Sequence, residues 1–218
     1  SIQMEKDPDF DDKWQLAHIC WMGERHERVR EILEGMEPTE EQKEAWLIMM
    51  AGSCHELEDY EEAVNYRQQI WDFYEEKARP LRLYLDLAED YKLCGNTQRA
   101  LEVYQSAEEV FPEEQEILYR QAQIMSDTGR LEEGLTLCNK ALELGFHPDP
   151  FNLKMEILLD LESFQEVKEL AENVLKQGYE GAQIRYYYAR ALRGLEENDQ
   201  AEKVLKDLVE QTKGAAVV

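Results

Sequence analysis

Few residues in this sequence can staple or break the chain, because its 218 positions hold only 4 cysteines, 6 prolines and 11 glycines. The cysteines form no CxxC pair, and their spacings of 34, 40 and 44 residues match no zinc signature. They read as reduced packing thiols, Cys20 and Cys54 at equivalent places in successive units, which favours a reducing compartment. No run reaches the roughly 18 apolar residues that a membrane-crossing helix needs, so direct membrane insertion is not expected. The opening SIQMEK lacks a signal-peptide core, and the expected location is cytoplasmic, with the cell envelope open if a targeting segment lies upstream.

Basic residues are also scarce, 24 against 48 acidic ones, for a net charge of −24. Such a field repels a phosphate backbone and argues against a nucleic acid partner or an anionic lipid surface. It favours a protein or peptide partner that is basic or carries an apolar stripe, while much of the acid excess serves as a solvated outer face. Catalytic signatures are missing too: there is no GxxxxGK[ST], no HExxH and no EF-hand pattern. Among the four histidines, His18 and Cys20 point different ways on a helix, as do Cys54 and His55, so neither pair is a nucleophile with its base. His18, His55 and Glu56 could meet across two units around an adventitious metal, but we assign no metal, no cofactor and no enzyme activity.

What the sequence does have is helical periodicity. In LRLYLDLAEDYKLCGNTQRALEVYQSAEEVFP, residues 81–112, Tyr84, Leu87, Ala88 and Tyr91 share one helix face and Ala100, Tyr104 and Ala107 share another. Gly95 and Asn96 mark the turn between them. Small residues at Ala88 and Ala100 let the two helices cross closely, and the tyrosines fill the wider gaps. With Ala100 as the mark of a second helix, its equivalents are Val29, Ala63, Gly134, Val167 and Ala201, at intervals of 34, 37, 34, 33 and 34 residues. The first-helix equivalents of Ala88 are Ala17, Ala51, Ala122, Met155 and Ala189. Six hairpins therefore fill the chain, each needing copies beside it to bury its outer apolar surface.

These spacings resemble the tetratricopeptide repeat, a 34-residue two-helix unit with small residues at the crossing positions. Its usual aromatic three residues before the second-helix mark is present as Tyr60 and Phe164, becomes Leu131, and is replaced by His26, Thr97 and Asn198; only Pro112 supplies the closing proline. The resemblance implies an all-α, right-handed superhelix of about six hairpins over residues 10–211, a single domain with repeats near 10–43, 44–80, 81–114, 115–147, 148–181 and 182–211. Residues 1–9 form a polar lead and 212–218 a fraying tail.

Within that frame we expect helices at Asp12–Met22 and His26–Leu33, then Glu41–Leu57 and Tyr60 to about Lys77, with Thr39 and Gln42 as a capping box. The second unit is three residues longer, so its second helix should be longer or its loop fuller. The fourth unit uses Gln115–Asp127 and Leu131–Leu144, with Gly145 at the C-cap. GFHPDP makes a corner before Phe151–Leu161 and Phe164–Lys176, and the last hairpin uses Ala182–Leu195 and Gln200–Glu210.

The resemblance further implies a concave groove lined by the first helices: Trp14, His18 and Trp21, then Ile48, Gly52, His55 and Glu56, then Leu85, Glu89 and Lys92. Tyr119, Gln123, Ser126 and Asp127 follow, then Asn152, Glu156, Leu159 and Asp160, then Tyr186, Arg190 and Arg193. The expected function is a non-catalytic protein-interaction scaffold, with an aromatic end at Trp14 and Trp21 and a basic end at Arg190 and Arg193. Two readings stand for each end, since the tryptophans could instead cap the stack and the arginines neutralise Glu196 and Glu197. The alternative is an assembly module that uses its convex face or edges, or an accessory subunit of an enzyme or secretion system. The family's clamp for chaperone carboxylate termini is excluded, because Trp14, His18, Met49 and Asp86 stand where its lysines and asparagines would be.

Overall fold

The computed structural model describes residues 8–75, 78–178 and 181–215, and these form twelve α-helices with no strand among them. The helices pair as six hairpins: α1 (Pro8–Met22) with α2 (His26–Glu34), α3 (Glu40–Glu56) with α4 (Tyr60–Trp71), and α5 (Leu81–Leu93) with α6 (Thr97–Val110). Then come α7 (Gln115–Asp127) with α8 (Leu131–Leu144), α9 (Pro148–Asp160) with α10 (Phe164–Lys176), and α11 (Ala182–Gly194) with α12 (Asn198–Ala215). Three hairpins make up each of two compact units, Ser1–Pro112 and Glu113–Val218.

All twelve crossing positions named from the spacing are buried: Ala17, Ala51, Ala88, Ala122, Met155 and Ala189 on the first helices, and Val29, Ala63, Ala100, Gly134, Val167 and Ala201 on the second. Gly134 shows why they are small, since a Cβ there would lie 3.1 Å from the Ile157 side chain and 3.3 Å from the Ala122 carbonyl oxygen. At Gly194 the approach is closer still, and a Cβ would meet the Phe164 ring at 2.4 Å.

One turn recurs in every hairpin. The residue five before each second-helix mark adopts a left-handed conformation: Glu24, Glu58, Gly95, Gly129, Glu162 and Glu196, with φ between 54° and 77°. Its N–H donates to the carbonyl three residues back, as in Glu58 N–H to His55 O at 3.0 Å, while the next N–H donates to the carbonyl five residues back, as in Asp59 N–H to Cys54 O at 2.8 Å. This paired Schellman closure satisfies the last carbonyls of each first helix and reverses the chain in three residues. Among the residues that precede α2, α4, α6, α8 and α10, Asn96 caps its helix with its side chain, accepting from Arg99 N–H, and the other four do not.

Hairpins join by laying a second helix over the next first helix. Across the first joint the Trp46 indole N–H of α3 donates to Leu33 O of α2 at 3.0 Å, and Arg30 of α2 pairs with Asp59 in the α3–α4 turn at 2.7 Å. Between α4 and α5 the joint is ionic: buried Arg67 pairs with Asp90, which is 0% exposed, and Asp90 also holds His55 Nδ1 at 2.6 Å. Asp86, 3.6 Å from Arg67, adds a second carboxylate and ties in Arg82 at 2.8 Å. In the second unit Ile157 packs with Cys138 and Leu135 between α8 and α9, and Lys168 pairs with Glu197 at 2.6 Å between α10 and α11.

Several boundaries differ from the sequence-based expectation. The helix expected to run to about Lys77 ends at Trp71, and 72–75 and 78–80 belong to no α-helix; Glu76 and Lys77 lie outside the described residues. Trp71 is held there by Tyr84, ring centroids 4.8 Å apart, and by the Arg79 guanidinium 4.0 Å over its ring. The expected corner at GFHPDP is partly helix: α9 starts at Pro148, which has no N–H to leave unsatisfied, and His147 Nδ1 accepts from Asp149 N–H. Helix α1 begins at Pro8, inside the expected lead, and α12 runs to Ala215, inside the expected tail; residues 1–7 and 216–218 lie outside the described residues. The Thr39–Gln42 capping box is present, and Gly145 is the C-cap of α8.

Three tests follow from this packing. Glu58→Gly should raise stability by about 0.5–1 kcal/mol in urea denaturation, because only glycine adopts the left-handed turn without Cβ strain. Arg67→Leu should cost about 3–5 kcal/mol by stranding the Asp90 carboxylate, whereas Arg67→Leu with Asp90→Ile should recover most of the loss. Cys20, Cys54 and Cys138 are buried and Cys94 exposed, with burial pushing the Cys54 thiol up to about 11 and Cys138 to about 12. Native alkylation should therefore modify Cys94 alone, and all four thiols should react after unfolding.

Candidate functional site

The face left over by stacking is carried on α1, α3 and α5 in the first unit and on α7, α9 and α11 in the second. In the first unit Trp14 is half-buried, stacked on Phe10 with ring centroids 6.1 Å apart and tilted against His18 at 5.4 Å. Phe10 and Trp14 form one side of a cavity of about 240 Å³ whose other walls are Asp11, Glu41, Gln42 and Ala45. This is an aromatic recess with two carboxylates at its rim.

Of the three residues read as one aromatic cluster, Trp14 and His18 stay in contact and Trp21 serves a separate one. His18 is exposed beside Trp14, but Trp21 turns to α3, where a Cβ on Gly52 would come within 2.6 Å of its ring, and stands edge-on to His26 at 5.0 Å. Gly52 is therefore the seat of Trp21, and that indole joins the hairpins. Ile48 is 54% exposed on the same helix as Gly52.

His55 is also fixed. Its Nδ1 is held by Asp90 and its ring stands edge-on to Tyr60 at 5.7 Å. On α5, Leu85 is half-buried and Lys92 lies 3.5 Å from Glu89. Asp90 and Arg67 were not singled out from the sequence, yet a signal was there. Positions equivalent to Asp90 hold Ile19, Ser53, Ile124, Ile157 and Ala191, and those equivalent to Arg67 hold Leu33, Tyr104, Cys138, Ala171 and Leu205. Opposite charges at two otherwise uncharged register positions in adjoining helices must pair to be buried.

In the second unit Tyr119 accepts from Gln123 Nε2 at 2.9 Å, and burial raises its phenol pKa. With Glu116, Arg120, His147 and Asp149 it lines a cavity of about 320 Å³ between α7 and α9. Asn152 is half-buried and Glu156 exposed; the Glu156 carboxylate accepts from Tyr187 OH at 2.6 Å, which in turn accepts from Gln183 at 2.8 Å. Burial raises the Tyr187 pKa first, and the Glu156 bond adds to it. Tyr186 is 44% exposed with the Arg190 guanidinium 5.9 Å from its ring, and Arg193 is exposed in the last turn of α11. Glu197 is taken by Lys168 rather than by these arginines.

No group of three His, Cys, Asp or Glu among the described residues is placed to hold a metal, and no helix among them is long and apolar enough to cross a membrane. The faces present aromatic recesses, hydroxyls and charges suited to recognising another chain.

Comparison with known proteins agrees with the repeat geometry. Tetratricopeptide repeat profiles match residues 81–124 and 156–216. A comparison with curated proteins by sequence found no significant match. Among solved structures, a tetratricopeptide repeat protein from Parabacteroides merdae is similar with a TM-score of 0.75 at 14% identity, over 93% of this chain and 79% of that one. A C-terminal part of a TPR repeat-containing protein from Cytophaga hutchinsonii gives 0.75 at 12% identity, over 90% and 78%. The MamA protein gives 0.65 at 14% identity, over 80% and 94%. At such identities the likeness to solved structures is one of fold, and the two repeat matches mark residues 81–124 and 156–216 as tetratricopeptide repeats.

Proposed function

We propose that this chain is a non-catalytic scaffold that holds a partner protein through an apolar or basic segment received on its first-helix faces. Tetratricopeptide repeats mediate protein–protein interaction, and the coarse assignment rests on those two matches. The finer reading rests on the recess at Trp14. Its aromatic wall offers a cation–π surface, while Asp11 and Glu41 supply negative charge at the rim. An arginine or lysine with its apolar stem fits both halves, and the net charge of −24 draws such a segment in. On the second unit, Tyr186, Arg190 and Arg193 offer a contrasting basic stripe for an acidic residue of the same or another partner.

Binding needs no chemistry from the buried ion cluster, whose charges are engaged with one another. The preformed recess reduces the ordering cost of association. The reading is tested with arginine- or lysine-bearing amphipathic peptides against glutamate-bearing counterparts, followed by calorimetry. Trp14→Ala should weaken the basic peptides by about 2 kcal/mol, roughly thirtyfold, with unchanged helicity. Arg190→Glu with Arg193→Glu should chiefly alter salt dependence and association rate for acidic segments. Equal affinity for basic and acidic peptides, or no effect of Trp14→Ala, would remove the recess from the recognition surface.

A further inference from the structure

The Trp14 and Tyr119 recesses occupy the same place in the repeat, each in the first hairpin of its unit. Trp14 and Tyr119 stand three residues before the crossing residues Ala17 and Ala122, and Asp11 and Glu116 stand six before them. The opposite walls correspond too, since Ala45 and Asp149 stand six residues before the next crossing residues, Ala51 and Met155. At the same two offsets the other first helices carry Ile48 with Ala45, Leu85 with Arg82, Asn152 with Asp149 and Tyr186 with Gln183. An aromatic ring one turn from a carboxylate on the same face is thus a feature of the first and fourth hairpins.

The chemistry of the Tyr119 recess suits a positive charge. Tyr119 is half-buried, and Gln123 Nε2 holds its hydroxyl at 2.9 Å, so the ring is fixed. Burial raises the phenol pKa first and Asp149 is the next cause, which puts that carboxylate close to the ring. One cation of the chain already lies there: the Arg120 guanidinium is 5.8 Å from the Tyr119 ring centre and 3.2 Å from Glu116. That pairing engages Glu116. Glu114 and Asp149 have no lysine or arginine partner among the described residues, and they leave the recess with the same two uncompensated carboxylates that Asp11 and Glu41 give the other. The cavities of about 320 and 240 Å³ lie at or below the size at which small-molecule pockets begin, roughly 300 Å³, and match one long side chain.

We propose that the Tyr119 recess is a second subsite for a lysine or arginine side chain of a partner protein, equivalent to the Trp14 recess, so that each unit takes one basic residue. The apolar stem packs on Tyr119 and the buried Pro150, and the charged head meets Glu114 and Asp149. The inference rests on the reading of the Trp14 recess under Proposed function, and it adds that the partner presents basic residues at two places.

A heteronuclear NMR titration of the 218-residue chain with a capped pentapeptide holding a central arginine reads the two recesses separately, at the Gln42 amide and at the Gln115 amide. Both signals should shift to saturation. Replacing the arginine by norleucine, which keeps the stem and loses the charge, should weaken both sites by about tenfold. Tyr119→Leu should abolish saturation at Gln115 and leave the Gln42 isotherm unchanged, Trp14→Ala should do the reverse, and circular dichroism should show unchanged helicity in each. Glu114→Gln with Asp149→Asn, which leaves the ring in place, should weaken the Gln115 site alone by about tenfold. Saturation at Gln42 without a response at Gln115, or a Gln115 isotherm indifferent to Tyr119→Leu or to the charge-removing pair, would overturn this proposal and leave the Trp14 reading standing. Saturation at Gln115 alone would support the Tyr119 subsite and overturn the Trp14 reading, and equal response to arginine and norleucine would overturn both.

Discussion

Burial of one helix face under the next hairpin is the constraint on which the rest depends. A pair of helices with 13 or so residues each has two apolar sides, and its partner helix covers only one. The crossing residues are small for this reason. Ala88 and Ala100 bring the two backbones together so that Tyr84 and Tyr104 can reach outward and still be buried. At three helix glycines an aromatic or aliphatic side chain from a neighbouring helix occupies the space a Cβ would take: Phe164 at Gly194, Trp21 at Gly52 and Ile157 at Gly134. The same constraint explains the repeated turn, since a three-residue Schellman reversal is the shortest link that leaves both helices antiparallel and satisfies the carbonyls it exposes.

The joint between α4 and α5 satisfies the constraint in another way. Arg67 and Asp90 take places that other hairpins give to uncharged side chains, and desolvation pulls the Arg67 pKa down even with carboxylates beside it. An apolar pair would bury the same area with less cost. What the ionic version adds is selectivity of register, because a shift of one residue would leave a charge buried alone. It also fixes His55 by its Nδ1, so a half-buried ring on α3 is positioned by the carboxylate of α5.

Much of the fold was legible in the sequence because hairpin repeats are local. The register marks depend on spacings of three and four within a helix and of about 34 between hairpins, and neither requires a distant contact to be guessed. The Thr39–Gln42 box and the Gly145 cap are equally local. The misplaced boundaries are those decided from outside the segment. Nothing within Tyr60–Lys77 stops a helix at Trp71; Tyr84 and Arg79 do so by holding the indole. Four of the six left-handed turn residues are glutamates, so the turn was invisible to a reading that looks for glycine.

The candidate site divides along the same line. Sequence alone determined that Trp14, His18 and Trp21, and Tyr186, Arg190 and Arg193, are spaced to share a helix face, because helical geometry assigns position from spacing. It also determined the acidic field and the repeat. Only the tertiary structure decided what each of those side chains is occupied with: Trp21 on Gly52, His55 on Asp90, Glu156 on Tyr187, and Trp14 at the wall of a recess. The reason is distance along the chain. The first three pairs lie 31 to 35 residues apart, about one repeat, and two such residues meet only once one hairpin has packed on the next.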